Sequence, residues 1–180
     1  RDSLTAAPVL ENYIRQHAPD APVIVSPDSG RIKVAERMAQ HLHDCEADIA
    51  FIYKRRPKGQ ANVVEAKEVI GDVKGRLCVL TDDMIDTGGT IVSAAELLLE
   101  RGATEVWAMA THGVLSGPAV ERLSASPLER LVLTNTLPLP EQNRLSQVEV
   151  LSIAPLIAQA LSAVFDDTSV SEIFSGENYA

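Results

Sequence analysis

Strand-like and helix-like segments alternate along almost all of this 180-residue chain, and this alternation limits its fold more than any other feature. Short apolar, β-branched runs that end at Pro, Gly or Asp are typical of buried strands, and segments with apolar residues at helical spacing separate them. No strong hairpin signal such as Asn-Gly appears. We therefore predict an α/β fold of βαβ units, with a Rossmann-like parallel sheet flanked by helices on both faces.

The pattern predicts seven strands and up to five helices in one domain that spans residues 1–180. The predicted strands lie in 21–27, 47–55, 65–76, 77–82, 103–113 and 128–136 and at the start of 148–165. The predicted helices lie in 31–42, 89–102, 117–125 and the rest of 148–165, with a further helix at 7–17 packed on the edge of the sheet. Residues 56–61 form a basic loop in this prediction, and 166–180 form a polar tail.

Composition excludes several classes of protein. Hydrophobic residues make up 46% of the chain, which is enough for a packed core. The net charge of −9 argues against nucleic acid as the main partner, and no apolar run is long enough to span a membrane. Two cysteines, Cys45 at a helix end and Cys78 within a strand, suit a reducing cytoplasm, where we place the protein. Arg1 is not an initiator methionine, which suggests a fragment or a processed piece.

The strand predicted at 77–82 ends in two adjacent acids, Asp82 and Asp83, and Asp86 follows three residues later. Carboxylates do not help to build a core. In an open parallel sheet, ligands bind beyond the carboxyl ends of the strands. The acid pair therefore predicts a contact with hydroxyl groups or with a cation at that edge.

A glycine turn follows the acids and leads into a helix. Gly88 and Gly89 allow backbone N–H groups to turn inward without a Cβ in the way, and a helix that begins at about Thr90 adds its positive N-terminal dipole. This end of the turn favours an anion such as phosphate. A sugar phosphate satisfies both ends, with its diol against the carboxylates and its phosphate in the turn.

Each part of this unit has a plainer explanation when taken alone. An Asp pair can cap a helix, and Gly-Gly can simply shape a loop. The complete unit of strand, two acids, Asp-Thr-Gly-Gly-Thr and helix favours a binding site instead. It is not a Walker A loop, because no Gly-Lys-Ser/Thr follows, and the chain has no G-x-G-x-x-G for a dinucleotide.

The segment VLTDDMIDTGGT resembles the phosphoribosyl-diphosphate binding signature of the type I phosphoribosyltransferase fold. Further segments resemble the ribose-phosphate diphosphokinase family, which carries them in this order: IVSPDSG, YKRRP, IGDVKGR, DDMIDTGGTI, ATHGVLSGPAVERL, TNTLPLP and SVSEIF. The resemblance extends over nearly the whole chain, but only to the C-terminal half of that family. It implies that the N-terminal half, with much of the ATP site and a metal-binding His, is absent.

The resemblance implies transfer of the diphosphoryl group of Mg-ATP to the anomeric hydroxyl of ribose 5-phosphate, which gives phosphoribosyl diphosphate and AMP for nucleotide biosynthesis. It also implies Mg²⁺ as cofactor, ribose 5-phosphate and ATP as small-molecule partners, and a homo-oligomer that assembles from dimers to hexamers. The isolated piece is expected to be inactive alone.

The resemblance also assigns roles to individual residues. It implies that Asp82 and Asp83 bind the ribose hydroxyls and that the 5-phosphate is bound by Asp86, Thr87, Gly88, Gly89 and Thr90. It implies that Lys54 and Arg56 are catalytic residues on a closing loop. It also implies that Asp28 is a metal ligand and that Ser169 and Ser171 bind effector phosphate. Cations on a closing loop suit phosphoryl transfer, which depends on positioning and charge neutralisation. Magnesium suits ligands that are all carboxylate oxygens.

Four other residues, one arginine and three histidines, have more than one possible role. The family usually reads Asp-x-Gly-Gly where this chain has Arg31 in place of the second Gly, and Arg31 either contacts a phosphate or opens the helix. His112 follows a strand at the ligand edge and is either a loop-packing residue or part of the site. His41 and His43 lie two residues apart, which points them to different faces of a helix, and we predict both at the surface.

Two other functions compete with the kinase. A phosphoribosyltransferase that joins a base to the sugar would need a base-recognising hood segment, and none is evident in the sequence. A non-catalytic regulatory subunit of the same fold would be expected to lose the loop cations, but Lys54 and Arg56 are present.

Overall fold

The computed structural model describes residues 4–55, 66–166, 168–170 and 173. Its helices are α1 (Ala7–His17), α2 (Ile32–His41), α3 (Gly89–Glu100), α4 (Ala119–Ser124) and α5 (Ala154–Phe165). Its strands are β1 (Val23–Ser26), β2 (Asp48–Arg55), β3 (Ala66–Ile70), β4 (Leu77–Ile85), β5 (Glu105–Gly113), β6 (Arg130–Thr134) and β7 (Val148–Leu151). Short 3₁₀ turns occur at His43–Cys45 and Glu141–Asn143.

The seven strands form one sheet in the order β3-β2-β1-β4-β5-β6-β7. Every neighbouring pair is parallel except β2 and β3, which pair antiparallel from Phe51–Ile70 to Arg55–Ala66. The predicted α/β fold with a parallel sheet between helices is therefore confirmed, with one antiparallel strand at its edge. The sequence does not reveal this pairing, because ten residues separate the two strands along the chain, too many for the two-residue turn that marks a tight hairpin.

The core lies on both faces of the sheet. On one face α3 and α4 pack through Ile91, Ala95, Leu98 and Leu123 against strand residues such as Leu80 and Leu131. On the other face α1 and α2 pack through Leu10, Ile14, Ala35 and Met38 against strand residues such as Val79 and Met109. The central strands are almost continuously apolar in sequence because they are buried on both faces of the sheet.

Helix α1 forms as predicted, but it does not lie at the edge of the sheet. Tyr13 meets the ring of Trp107 on β5 edge-on, with 6.1 Å between the ring centroids. The Arg130 guanidinium lies 4.7 Å above the Trp107 ring and donates a hydrogen bond of 2.7 Å to the Tyr13 hydroxyl. Packing of these large rings holds α1 over the central strands, and periodicity within α1 alone carries no information on that position.

The two cysteines have the predicted environments. Cys78 is fully buried in β4, and burial raises the pKa of its thiol to about 12. Cys45 is partly exposed at the end of a 3₁₀ turn. Both are free thiols. Within the described part of the chain, no helix has the length and apolar character that a membrane span requires.

His41 is only partly exposed, with 20% of its side chain accessible, and so is less open to solvent than the sequence prediction has it. Its Nδ1 lies 2.8 Å from a carboxylate oxygen of Glu11, whose side chain is only 6% exposed. This contact ties the end of α2 to α1. His43 is exposed, as predicted, and its ring nitrogen contacts the carbonyl of Gln40. Spacing on one helix does not show that a second helix covers the His41 face.

We expect His41→Ala to lower the free energy of unfolding by about 1–3 kcal/mol, because it removes a hydrogen-bond partner from a buried carboxylate. His43→Ala is the matched control, since it removes the same ring from an exposed position two residues away. Its effect should stay within about 0.5 kcal/mol. Urea unfolding of both variants measures the difference, and equal losses would mean that the His41–Glu11 contact does not stabilise the fold.

Candidate functional site

The candidate site lies where the connections of the sheet change direction. The chain passes from β1 outward to β2 and β3, and then returns to place β4 on the other side of β1. Ligands of open α/β sheets bind in the crevice outside the carboxyl ends of the strands at this switch point. Strand β1 ends at Ser26, but its neighbours continue to Arg55 and Ile85, so a notch opens between them.

Asp82 and Asp83 lie beside this notch, although β4 does not end at Asp82 as predicted. The last residue of β4 that pairs with β1 is Leu80, but pairing with β5 continues to Ile85. The acids are therefore held in a regular strand on one side and face the notch on the other. Such a position is more rigid than a loop, and rigid placement suits a binding group.

Arg31 contacts both acids. It is the residue that precedes the first turn of α2, and its guanidinium Nη2 forms an ion pair with Asp83. Its Nε lies 3.7 Å from Asp82 Oδ1. The backbone N–H of Asp83 also donates to the Asp82 carboxylate, at 2.8 Å. The sequence analysis considers that Arg31 either contacts a phosphate or opens the helix. The structure shows a third arrangement, in which Arg31 contacts the two acids.

The two carboxyl groups have opposite pKa shifts. Burial raises the pKa of Asp82 to about 6, in spite of the hydrogen bond from Asp83 N–H and the charge of Arg31. Burial alone would also raise the pKa of Asp83, but its interaction with the Asp82 carboxyl group and the Arg31 charge outweigh that effect and hold it below its usual value. At neutral pH both groups are ionised, and Asp82 is the more readily protonated.

The raised pKa of Asp82 predicts a pH-dependent stability. The folded state binds a proton at Asp82 more tightly than the unfolded chain, so the stabilisation is complete below about pH 4 and is lost as the pH rises through about 6. Relative to Asp82→Asn, the wild type should lose about 1 kcal/mol over that range, because water partly screens the group. Urea unfolding from pH 4 to 7.5 measures this, and a constant difference between the two proteins would contradict the shift.

The glycine turn shares a cavity with Asp82. This cavity has a volume of about 150 Å³ and is lined by Asp82, Met84, Ile85, Asp86, Thr87, Gly88, Gly89, Thr90 and Ile91. Helix α3 begins at Gly89 with no acidic residue in its first turn and no side-chain cap from any described residue. Its first N–H groups are therefore available to an anion. Asp83 does not line this cavity, so the structure brings only Asp82 next to the predicted phosphate loop.

The segment that follows β5 packs against the glycine turn and forms hydrogen bonds with it, although the sequence analysis assigns it no role in the site. Ser116 donates to the Asp86 carboxylate through its hydroxyl and to the Asp86 carbonyl through its N–H. Arg122 on α4 donates a hydrogen bond of 2.7 Å to the Thr87 carbonyl. The signal was present in the motif SGPAVERL, but only the fold reveals that α4 lies against α3.

Helix α4 packs closely against both glycines of the turn. Gly88 has φ +74°, and a Cβ there would lie 3.2 Å from Leu123 Cγ. At Gly89 a Cβ would lie 3.2 Å from the Arg122 guanidinium. The turn therefore packs tightly against α4. A side chain at Gly88 would be strained by the left-handed φ as well, whereas at Gly89 the Arg122 side chain could move aside.

We expect Gly88→Ala to weaken anion binding at the turn about tenfold, because the left-handed φ and the contact with Leu123 both force the backbone to shift. Gly75→Ala is the matched control: it has φ +72°, but no atom lies within 4 Å of its Cβ position. Both variants should lose about 1–2 kcal/mol of stability from φ alone. Phosphate titration by calorimetry separates them, and equal affinities would mean that the turn does not bind anions.

Asp28 lies in the same notch, two residues beyond the end of β1. Its carboxylate accepts a hydrogen bond of 2.8 Å from Gly30 N–H, which shapes the turn into α2. Among the described residues, no group of three or more His, Cys, Asp or Glu side chains is placed to hold a metal ion. The hard carboxylate oxygens still fit Mg²⁺, which is commonly bound by one or two carboxylates with substrate phosphates and water.

Lys54 lies at the same edge of the sheet. Val25 pairs with both Ala50 and Leu80, so Lys54 on β2 is level with Met84 on β4. The two strands are separated by β1 alone, about 10 Å apart. Lys54 is exposed and pairs with Lys67, whose ammonium donates to Ser93 on α3, so both lysines face the α3 side. Arg56, the other predicted catalytic residue, lies outside the described residues.

His112 lies at the margin of the site. His112 is level with Met84 across β4 and β5, and its Nδ1 lies 2.8 Å from the Thr136 hydroxyl, which donates to the Thr111 carbonyl. This network joins β5 to the end of β6 and favours the packing role. Ser169 follows α5, and Ser171, its predicted partner in effector binding, lies outside the described residues.

A second cavity of about 180 Å³ lies on the other face, between α1, α2 and the acid pair. Its lining includes Leu10, Arg31, Met38, Asp82 and Asp83. Asp82 is therefore reachable from both faces of the sheet, whereas Asp83 borders this cavity and not the glycine-turn cavity, and its half-exposed carboxylate is paired with Arg31.

The fold is that of the type I phosphoribosyltransferases. The adenine phosphoribosyltransferase of Giardia lamblia, solved with 9-deazaadenine, superposes with a TM-score of 0.53 at 16% identity over 71% of this chain and 75% of that one. This likeness shows the arrangement of sheet and helices and nothing beyond it.

The chain belongs to the family of the phosphoribosyl synthetase-associated domain, whose sequence model matches residues 49–175. It is 50% identical to the ribose-phosphate pyrophosphokinase of Streptomyces avermitilis over 96% of this chain and 53% of that protein. The Caldanaerobacter subterraneus subsp. tengcongensis protein of the same name is 48% identical over 97% and 54%. The phosphoribosylpyrophosphate synthetase structure from Mycobacterium smegmatis superposes with a TM-score of 0.80 at 49% identity, over 90% and 51%. The chain thus spans about half the length of these relatives.

Proposed function

We propose that this chain is the C-terminal, sugar-phosphate-binding domain, residues 1–180, of a ribose-phosphate diphosphokinase. The reaction transfers the diphosphoryl group of Mg-ATP to the anomeric hydroxyl of ribose 5-phosphate and yields phosphoribosyl diphosphate and AMP. One observation carries the proposal: Asp82 and the turn from Asp86 to Ile91 line one cavity at the switch point of the sheet. The names of relatives that are about 50% identical support it.

The cavity suits the two ends of a phosphorylated pentose. The first N–H groups of α3, with the hydroxyls of Thr87 and Thr90, donate to the 5-phosphate and place it at the positive end of the helix dipole. The Asp82 carboxylate accepts hydrogen bonds from the ribose hydroxyls, and Asp83 assists from the neighbouring position. A carboxylate that accepts from hydroxyls forms charge-assisted bonds, which are stronger than neutral ones.

The transferred group would need cations around it. Asp28 would hold Mg²⁺, which neutralises charge on the phosphates of ATP and orients them. Lys54 and Arg56 would close over the same edge from the β2 side. The position of Lys54, level with Met84 and on the α3 face, supports this role because it is within reach of the notch.

The remaining assignments concern the whole protein. In this proposal it acts in the cytoplasm in nucleotide biosynthesis, assembles from dimers into a homohexamer, and responds to an effector phosphate bound by Ser169 and Ser171. In this proposal the other half of the family enzyme supplies most of the ATP site, so residues 1–180 alone bind sugar phosphate without turning it over.

Calorimetry on the 180-residue chain tests the binding part. Ribose 5-phosphate should bind at least about tenfold more tightly than either ribose or inorganic phosphate, because only it engages both ends of the cavity. Equal affinities for ribose 5-phosphate and inorganic phosphate would contradict the two-ended site.

Activity tests the rest of the proposal. When the chain is mixed with the N-terminal half of a close relative, AMP formation from ATP and ribose 5-phosphate should appear. Formation of a nucleotide from phosphoribosyl diphosphate and a free base would favour a phosphoribosyltransferase instead. Binding without either activity would favour a regulatory subunit.

A further inference from the structure

Arg31 is the least expected member of the site, and its position is fixed by its backbone. The turn before it is held by the bond from Gly30 N–H to Asp28, and its own carbonyl accepts the N–H groups of Val34 and Ala35 at the start of α2. The side chain therefore leaves the helix start directly over the notch. Its exposed fraction is 36%, so it lies at the mouth of the cavity on the α1–α2 face.

The guanidinium lies against one oxygen of each carboxylate. Its Nη2 is paired with Asp83 Oδ2, and its Nε approaches Asp82 Oδ1 at 3.7 Å. Mg²⁺ and Mn²⁺ bind carboxylates through direct oxygen contacts at about 2.0–2.2 Å, so an ion that bridged these two oxygens would have to displace Arg31. A guanidinium is always charged and holds its donors in a rigid plane, so it remains on the pair across the whole physiological pH range.

We propose that Arg31 excludes divalent cations from the Asp82–Asp83 pair and thereby reserves Asp82 for hydroxyl groups. Asp82 also borders the glycine-turn cavity on the other face, so a ligand can reach it there while Arg31 stays in place. Any Mg²⁺ that enters the notch is left to Asp28 and to the phosphates of the substrate. Arg31 acts as a specificity-determining residue, because it decides which ligand chemistry the two acids accept.

The inference deepens the proposed function, since it concerns the same acid pair, but its test uses no sugar and no ATP. Mn²⁺ is the probe, because it binds the same oxygen ligands as Mg²⁺ and broadens the NMR signals of nearby amides. The amide signals of residues 82–86 report on the acid pair. Arg31→Gln removes the charge and keeps a side chain of moderate length, and Arg31→Lys keeps the charge without the rigid plane.

The wild type should show no selective Mn²⁺ broadening at residues 82–86. Arg31→Gln should gain it, with a dissociation constant at least about tenfold lower than any wild-type value at this position, because the competing charge is gone. Adding Asp83→Asn to Arg31→Gln should remove it again, and Arg31→Lys should fall between wild type and Arg31→Gln. A thermal melt of each variant checks that the fold is intact, as expected for a residue at the mouth of a cavity.

Two results would overturn the inference. If Arg31→Gln and the wild type bind Mn²⁺ equally at the pair, Arg31 does not exclude the metal. If the wild type already binds Mn²⁺ there, and Asp82→Asn/Asp83→Asn abolishes that binding, the pair is itself a metal site. Neither result depends on the ribose 5-phosphate titration, so failure of the inference and failure of the proposed function are distinguishable.

Discussion

Asp82→Asn combined with Asp83→Asn is expected to abolish ribose 5-phosphate binding while leaving the fold intact. Each change replaces a charged acceptor by a neutral one, and two charge-assisted hydrogen bonds to hydroxyl groups are worth about 3–6 kcal/mol together. The affinity should therefore fall at least about 100-fold. Asparagine has nearly the same size and keeps an oxygen that can accept the Asp83 N–H, so the strand should not change. Calorimetry measures the affinity, and near-UV circular dichroism measures the fold.

The control for this variant is Glu96→Gln with Glu100→Gln. It makes the same change in net charge at two exposed positions on α3, away from the notch, and should leave the affinity within about twofold. Inorganic phosphate should still bind the double Asn variant, because the N–H groups of α3 are untouched. Unchanged ribose 5-phosphate affinity in Asp82→Asn/Asp83→Asn would remove the acid pair from the site.

The sequence predicts the sheet well because burial on both faces produces a pattern of short apolar runs. It predicts the glycine turn for a different reason. Few structural roles other than ligand binding require acids, two glycines and the start of a helix in direct succession. Where the prediction is wrong, the missing information lies in contacts between distant elements. The position of α1 depends on Trp107 and Arg130, and the partner of His41 is Glu11 on another helix.

The candidate site shows the same limit. Asp82 and the turn are close in sequence, so their proximity in the fold was predictable. The contacts around them are not: Arg122 bonds to the turn at Thr87 from 35 positions away, and Arg31 pairs with Asp83 from 52 positions away. Hydrogen bonds and ion pairs over such separations have no sequence signature in a single chain. The length of β4 beyond Asp82 was missed because Asp has low strand propensity, which pairing with β5 overrides.

Opposite pKa shifts in adjacent acids are informative about the role of each. A carboxylate whose only role is to form an ion pair is expected to have a lowered pKa, as Asp83 has beside Arg31. Asp82 is instead held partly desolvated, with its pKa raised to about 6, which costs stability in the free protein. Such a cost is typical of functional groups, because a desolvated acceptor binds hydroxyl groups more strongly. Asp82 is thus the acid on which ligand binding should depend most.

Lys54→Ala, in a protein that contains both halves of the family enzyme, is expected to lower kcat about 100–1000-fold with little change in the affinity for ribose 5-phosphate. A cation that meets charge developing on the transferred phosphates stabilises the transition state more than the bound substrate. Lys54 is at the notch edge, level with Met84 but about 10 Å away across the notch, so the bound sugar should not depend on it. Steady-state kinetics of AMP formation, with calorimetry for the sugar, separates the two effects.

Lys74→Ala is the matched control for charge and exposure. Lys74 is also exposed, but it precedes β4 and so lies at the opposite edge of the sheet, where its side chain packs near Gly102. Its removal should leave kcat within about twofold of the wild type. If Lys54→Ala raises only the KM for sugar or ATP and leaves kcat unchanged, Lys54 stabilises the bound substrate and the transition state equally. The assignment of the β2 loop to catalysis would then be wrong. A fall in kcat at constant sugar affinity would instead place a catalytic cation at the end of β2, on the α3 face of the notch.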